Sequence, residues 1–287
     1  MAALISPLES CARGEDVQSG AEADLSQLET SAEFSPQRDL IFDIGVNHGE
    51  DSEFYLAKGF RVVGVEADPI LASELRKTFH RSIETGQYTL ENIGISSEAG
   101  TLPFYRNLYC DHWSSFDKTY GARNGTQHEV ISVRCVKITD LIARFGCPYY
   151  MKVDIEGADR HVLDTLFQTE IRPRFISIEE FSAQAIEFLF RMGYNMFSLR
   201  TQQDKTWAVP PNPPREGKFI ARSFTPRDSG LFGFEVPEWM SCEAAKDEYS
   251  RKVRNDRGEW LPPPGEWYDI HATYWPVGLD DQALERK

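Results

Sequence analysis

From residue 38 to residue 223 the chain repeats one phrase: a short apolar run, a polar residue at its end, a turn, then an amphipathic stretch. Leu40-Ile41-Phe42 leads into Asp43, RVVGV (Arg61 to Val65) ends at Glu66, and Tyr88 to Asn92 is a third run. Tyr149 to Val153 precedes Asp154, and Phe175 to Ile178 precedes Glu179. Helices are expected between these strands. Asp51 to Lys58 is stopped by Gly59, and Asp68-Pro69 caps a helix carrying Leu71, Leu75 and Phe79. Thr139 or Asp140 caps a short helix that ends at Gly146, and Ala158 to Phe167 and Ala183 to Met192 follow. Such alternation builds an α/β sheet with helices on both faces. Ligands bind such sheets at the carboxyl ends of the strands, near the switch point of strand order. Asp43, Glu66, Asn92, Asp154 and Glu179 therefore converge on one edge.

The pattern is looser elsewhere. Thr101 to Tyr105 and Val130 to Val136 read as additional strands around a polar stretch, Arg106 to Glu129, that carries no period. Tyr194 to Leu199 and Lys218 to Ser223 read as a final strand pair joined by the proline-rich loop Trp207 to Pro214. Three regions result. Residues 1–37, rich in Ser, Glu and Ala, are a mobile or loosely docked leader; residues 38–242 are the α/β domain; residues 243–287 are an extension. Trp239, Trp260, Trp267, Tyr268, Tyr274 and Trp275 crowd the end of the chain around Pro262 to Pro264, as a cap on the core or as a lid or partner surface.

With 31 basic and 45 acidic residues, the chain has a net charge of -14, which repels nucleic acid and anionic membrane surfaces. Arg251, Lys252, Arg254 and Arg257 are interleaved with Asp256 and Glu259 and read as a solvated helix face. No run approaches the ~20 apolar residues of a membrane span, and the N-terminal residues lack the basic start of a signal peptide. The five cysteines (Cys11, Cys110, Cys135, Cys147, Cys242) have neither zinc-site spacing nor a disulfide framework, so free thiols in a reducing, cytoplasmic setting are expected.

The first turn reads Asp43-Ile44-Gly45-Val46-Asn47-His48-Gly49-Glu50. A dinucleotide fingerprint would place glycines at 47 and 50, where Asn47 and Glu50 stand, and a carboxylate at the helix start repels a pyrophosphate. No Gly-Lys-Ser/Thr follows, which excludes a P-loop. The turn suits a nucleoside-like ligand without phosphate. Gly45 and Gly49 permit close backbone approach, Asp43 can meet a cationic group, and Glu66 at the second strand end can accept bonds from both ribose hydroxyls. S-adenosylmethionine (SAM) has those parts: an adenosine, a sulfonium and an amino acid end.

FDIGVNHGEDS, VVGVEADP and YMKVDIEGADRHVL resemble successive blocks of the FkbM-type family of SAM-dependent methyltransferases, and SGLFGFEVPEW (Ser229 to Trp239) is similar to that family's region after the last strand. The resemblance spans residues 38 to 242. It implies a class I SAM-dependent methyltransferase fold, a Rossmann-like seven-stranded sheet with the last strand antiparallel. It also implies methyl transfer, usually to oxygen, on small molecules or sugar-containing metabolites. Carried over by position, Asp43, Gly45, Asn47 and Gly49 cradle the methionine and ribose parts, Glu66 holds the ribose, Asn92 and Ile93 lie beside adenine, and Asp154 sits at the methionine end. Val46 stands where alanine is usual and Ala67 where proline is usual; neither change removes a functional group.

Methyl transfer from a sulfonium is an in-line displacement that often needs help in removing the acceptor's proton. Asp154 and Glu156 alternate on an extended chain, so one acid can contact the donor's amino group while the other faces the acceptor. Glu156 could equally cap the following helix. His112, in the unassigned stretch, is a candidate base because an imidazole's ordinary pKa suits proton transfer; a surface histidine is the plainer reading. Glu179 and Glu180 end the fifth strand as candidate acceptor contacts, and Lys152 and His161 are expected to be structural. No metal is expected, since Asp154, Glu156 and Glu179 lack a histidine at ligand spacing. The expectation is an O-methyltransferase with a small-molecule or glycan-containing acceptor and no nucleic acid partner. Alternatives are N-methylation and a SAM-fold binding module without turnover.

Overall fold

A computed structural model of the chain describes residues 35–274. These begin with β1 (Gln37–Ile44), α1 (Glu50–Ala57), β2 (Arg61–Val65), α2 (Pro69–Thr78), α3 (His80–Glu84) and β3 (Tyr88–Glu91). An insertion follows, with β4 (Gly94–Ile95), β5 (Gly100–Asn107), the one-turn α4 (Lys118–Gly121) and β6 (His128–Val136). Alternation resumes with α5 (Ile138–Phe145), β7 (Pro148–Val153), α6 (Asp159–Phe167), β8 (Phe175–Glu179), α7 (Gln184–Arg191) and β9 (Met196–Thr201). The described residues close with β10 (Met240–Ser241), α8 (Cys242–Lys252) and β11 (Tyr268–Thr273).

The main sheet has the order β10-β9-β11-β8-β7-β1-β2-β3. β3, β2, β1, β7 and β8 pair in parallel, and β11 lies antiparallel between β8 and β9. This is the expected seven-stranded α/β sheet with its last strand reversed, and the two-residue β10 adds an eighth strand at one edge. The chain runs outward from β1 to β3 and returns to the other side of β1 at β7. The switch of strand order thus falls between β1 and β7, and a crevice opens at their carboxyl ends.

The sheet is buried on both faces because successive strand residues point to opposite sides. In β1, Leu40, Phe42 and Ile44 enter one core cluster with apolar residues of α5, α6, α7 and α8. Ile41, from the same strand, enters the other with Phe54 and Tyr55 of α1 and with Phe232. The two additional strands expected around the polar stretch are β5 and β6, which pair as a hairpin and form with β4 a second sheet of order β4-β6-β5; the stretch without a period is the long loop between them.

Two expectations need correction. Lys218 to Ser223 is not a strand: it packs on the end of α1, where the Lys58 ammonium donates to the Lys218 carbonyl at 3.2 Å. The reversed strand is instead β11, every residue of which is buried between β8 and β9. The boundary expected at residue 242 therefore falls inside the fold, and part of the aromatic-rich extension completes the sheet. The leader up to residue 34, Cys11 and Trp275 lie outside the described residues. Cys110, Cys135, Cys147 and Cys242 are free thiols. Among the described residues no helix is long and apolar enough to cross a membrane.

Candidate active site at the switch point

Gly45 starts the turn after β1 at a φ of 89°, a conformation that side chains other than glycine's adopt at a cost. A Cβ at this position would stand 1.8 Å from the Asp154 carbonyl oxygen, so β1 and β7 can end side by side only with glycine here. Asn47 follows at a φ of 51°, and its N–H donates to Glu66 Oε2 at 2.8 Å. The Asp68 N–H donates to Glu66 Oε1 at 2.8 Å. Two backbone donors thus fix a carboxylate whose further lone pairs are free for a ligand. Burial pushes the Glu66 carboxyl up to about 7, against the lowering effect of both N–H bonds.

These residues line a cavity of about 810 Å³ at the carboxyl ends of the strands, a volume typical of small-molecule sites. Gly45, Asn47, Glu66, Ile93, His112, Asp154, Glu156 and Glu179 all face it. Asp43, Gly49 and Asn92 do not. The Asp43 carboxyl is 0% exposed behind the turn, where it accepts from Ser52 Oγ at 2.6 Å. The pleat turns its side chain toward α1 rather than into the cavity. A Cβ on Gly49 would collide with Leu75 and Phe79, so this glycine lets two helices approach. Asn92 donates to the Glu66 and Ala67 carbonyls at 2.8 and 3.2 Å and so braces the turn that presents Glu66.

Lys152, expected to be structural, is the electrostatic hub. Its ammonium, with the side chain only 5% exposed, lies 3.6 Å from Asp43, 3.5 Å from Asp51 and 3.4 Å from Asp154, and donates to the Gly45 carbonyl at 3.1 Å. Burial would lower its pKa, but Asp154, Asp43 and Asp51, together with Asp269, outweigh it and hold the group well above its ordinary value. Burial also lifts Asp43 to about 6, with Lys152 pulling the other way. Asp154, by contrast, is 45% exposed and offers its carboxylate to the cavity.

Glu156 stands at a φ of 51° and pairs with Arg123 from the β5–β6 loop. Burial, reinforced by Asp154 and opposed by Arg123, raises its carboxyl to about 7. It does not cap α6, whose N-cap has no side-chain bond. The same loop forms the cavity mouth: His48 Nε2 is 2.9 Å from Asp111, and His112 Nε2 is 3.1 Å from Cys110 Sγ. The His112 side chain is 63% exposed. Glu180 turns away from the cavity to Tyr249 and Arg254, whereas Glu179 faces it. Opposite Glu179, across the β8–β11 ladder, is Asp269, which sequence reading missed. Among the described residues no group of three His, Cys, Asp or Glu side chains is placed to hold a metal ion.

The fold is that of an α/β protein with a cavity at the switch point of its sheet. The profile of the methyltransferase FkbM domain matches residues 43–196, more than half of the chain. The chain belongs to the FkbM methyltransferase family. Among solved structures it is similar to methyltransferase FkbM from Methylobacillus flagellatus KT, with 20% identity and a TM-score of 0.40; the alignment covers 61% of this chain and 43% of that one. It is also similar to precorrin-6y C5,15-methyltransferase from Geobacter metallireducens GS-15, with 10% identity, a TM-score of 0.36 and coverage of 85% and 84%. No curated protein matches the sequence.

Proposed function

We propose that this chain is a SAM-dependent methyltransferase that methylates a hydroxyl group on a small molecule or sugar-containing metabolite. The observation that carries the donor half is Glu66, a buried carboxylate aimed by two backbone N–H groups at a cavity that a methyltransferase must fill with its donor. Its remaining lone pairs suit the two ribose hydroxyls. The Gly45 to Asn47 turn would flank the methionine part, Ile93 would lie beside the adenine, and Asp154 would meet the amino group. When bound, SAM supplies a methyl group whose carbon–sulfur bond breaks as the new carbon–oxygen bond forms.

The chain's own part in the chemistry is proton removal. Glu156 is our candidate base: it reaches the cavity beside Asp154, and a carboxyl raised to about 7 holds a proton more tightly than an ordinary one. The hydroxyl proton would pass to its carboxylate, with Arg123 keeping the side chain in place. His112 sits at the mouth as a positioning group.

Two expected results follow from these assignments. Glu66→Ala removes charge-assisted bonds worth ~1.5–3 kcal/mol, so the SAM dissociation constant should rise by about tenfold to a hundredfold in titration calorimetry. An unchanged constant removes Glu66 from the site. For Glu156, the base must be ionised to act, so the parent's methyl-transfer rate should climb through a limb near pH 7. Glu156→Gln should lose that limb and fall by ~10²–10⁴ in rate. A variant that keeps the parent's pH profile assigns the base elsewhere. The reading as a whole is tested by incubating the protein with methyl-labelled SAM and fractionated metabolite extract. Label in a product supports an enzyme, and SAM binding without any transfer supports a binding module.

A further inference from the structure

We infer that the acceptor carries a protonated amino group, held between Glu179 and Asp269 in the half of the cavity away from Glu66. The inference rests on the methyltransferase reading and adds the substrate's chemical class, an amino-bearing hydroxyl compound such as an amino alcohol or amino sugar.

The sheet supplies the placement. Glu179 is the last residue of β8, and Asp269 is its direct partner on β11. Directly paired residues of neighbouring strands project from the same face, with Cα atoms ~4.5–5.5 Å apart. Both line the cavity, and strand order puts them on the opposite side of β7 from β2, which carries Glu66 at its end.

The second observation is what these acids lack. The other carboxylates lining the cavity each have a hydrogen bond or ion pair within the protein. Among the described residues, Glu179 and Asp269 have neither, although Asp269 is only 7% exposed. Lys205 and Lys152 attract Asp269 through space, but neither forms an ion pair with it, and the closest contacts of the neighbouring cations go to other groups. Lys152 faces Asp43, Asp51 and Asp154, Arg123 holds Glu156, and the Lys205 ammonium donates to Gln202 and to the Ser229 carbonyl.

A buried and a half-buried carboxylate on facing strand residues repel each other. Burial pushes both well above the ordinary carboxylate range; around Glu179 the charged neighbours are acids that push the same way, whereas for Asp269 the acids Asp154 and Asp51 are opposed by Lys205 and Lys152. A ligand cation relieves that repulsion, and an ammonium has three N–H donors to share between two carboxylates. Trp267, two residues before Asp269, also lines the cavity and gives the cation an aromatic neighbour. A neutral polyol would leave the repulsion in place, and an acidic acceptor would add to it.

The test uses the full chain, methyl-labelled SAM and a metabolite extract split by ion exchange into cationic, neutral and anionic pools. The parent should label the cationic pool. Glu179→Gln and Asp269→Asn should each cut that labelling by about tenfold or more, as the loss of a charge-assisted bond requires, and should bind SAM as tightly as the parent. Label confined to the neutral or anionic pool overturns the amine while leaving the methyltransferase reading intact. Protein that binds SAM but labels no pool overturns both. A measurement without turnover guards against variants that fail to fold. Because the pair has no protein partner to lose, Glu179→Gln should unfold at the same or a higher urea concentration than the parent at pH 8. A clear drop in that midpoint means that Glu179 is already satisfied within the protein, and contradicts the inference.

Discussion

Gly45→Ala is expected to destabilise the protein by about 3–5 kcal/mol, an effect at the upper end for single substitutions. Two costs combine. The residue sits at a φ of 89°, where a side chain costs of order 1–3 kcal/mol. The added Cβ would also stand 1.8 Å from the Asp154 carbonyl oxygen, and this neighbour is backbone that cannot swing aside. To relieve the clash, the ends of β1 and β7 must part, and with them the turn that presents Asn47 to Glu66. Urea unfolding followed by circular dichroism measures the change. Gly100→Ala is the control, since nothing lies within 4 Å of a Cβ there, and it should stay within about 0.5 kcal/mol of the parent. A loss below about 1 kcal/mol at Gly45 would mean that the turn relaxes freely and is not a rigid part of the site.

Lys152→Met should cost a similar amount, about 3–5 kcal/mol at pH 8, because it leaves buried carboxylates without their cation. The methionine keeps the bulk of the side chain, so the loss is chiefly electrostatic. Asp43 is fully buried and Asp51 nearly so, and both lie within 4 Å of the lost ammonium. The pH dependence separates this account from a packing defect. In the parent, Asp43 already has its pKa raised to about 6 in the folded state. Stability from such a group is complete below its unfolded value of ~3.9 and is lost as pH rises through the folded one. Without Lys152 the folded value of Asp43 rises further, so the variant loses more stability than the parent between pH 5 and pH 8. The gap between the two proteins should therefore narrow as pH falls toward 5. A gap that stays constant across this range would assign the cost to packing.

Much of this architecture is readable from local pattern. Short continuous apolar runs gave β1, β2, β7 and β8, and Asp68-Pro69 marked the start of α2, where the Asp68 side chain accepts from the Ile70 N–H. The glycine turn and Glu66 were legible because each has a local signature. What escaped depends on direction and distance. A residue at a strand end can face the cavity or the layer behind it, and the pleat decides: Glu66 faces the cavity while Asp43 is sealed against Ser52. Asp269 was hidden for another reason. It lies near the start of an antiparallel strand, so a search for acids at strand carboxyl ends passes over it, and only the register with Glu179 brings it to the edge. β11 itself is separated in sequence from β9 by a long loop, β10 and α8, and its aromatic-rich surroundings resemble a lid. Lys152 gave one clue, a lysine inside an apolar strand two residues before an acid. Its role as a shared counterion rests on Asp43 and Asp51, which are remote in sequence.

If the cavity beside Glu66 is a SAM site, titration calorimetry on the folded 287-residue chain will detect it. Saturable binding of one SAM per chain is expected, weakened about tenfold to a hundredfold in Glu66→Ala. A flat titration with concentrated, folded parent protein would contradict the donor site and the methyltransferase reading built on it.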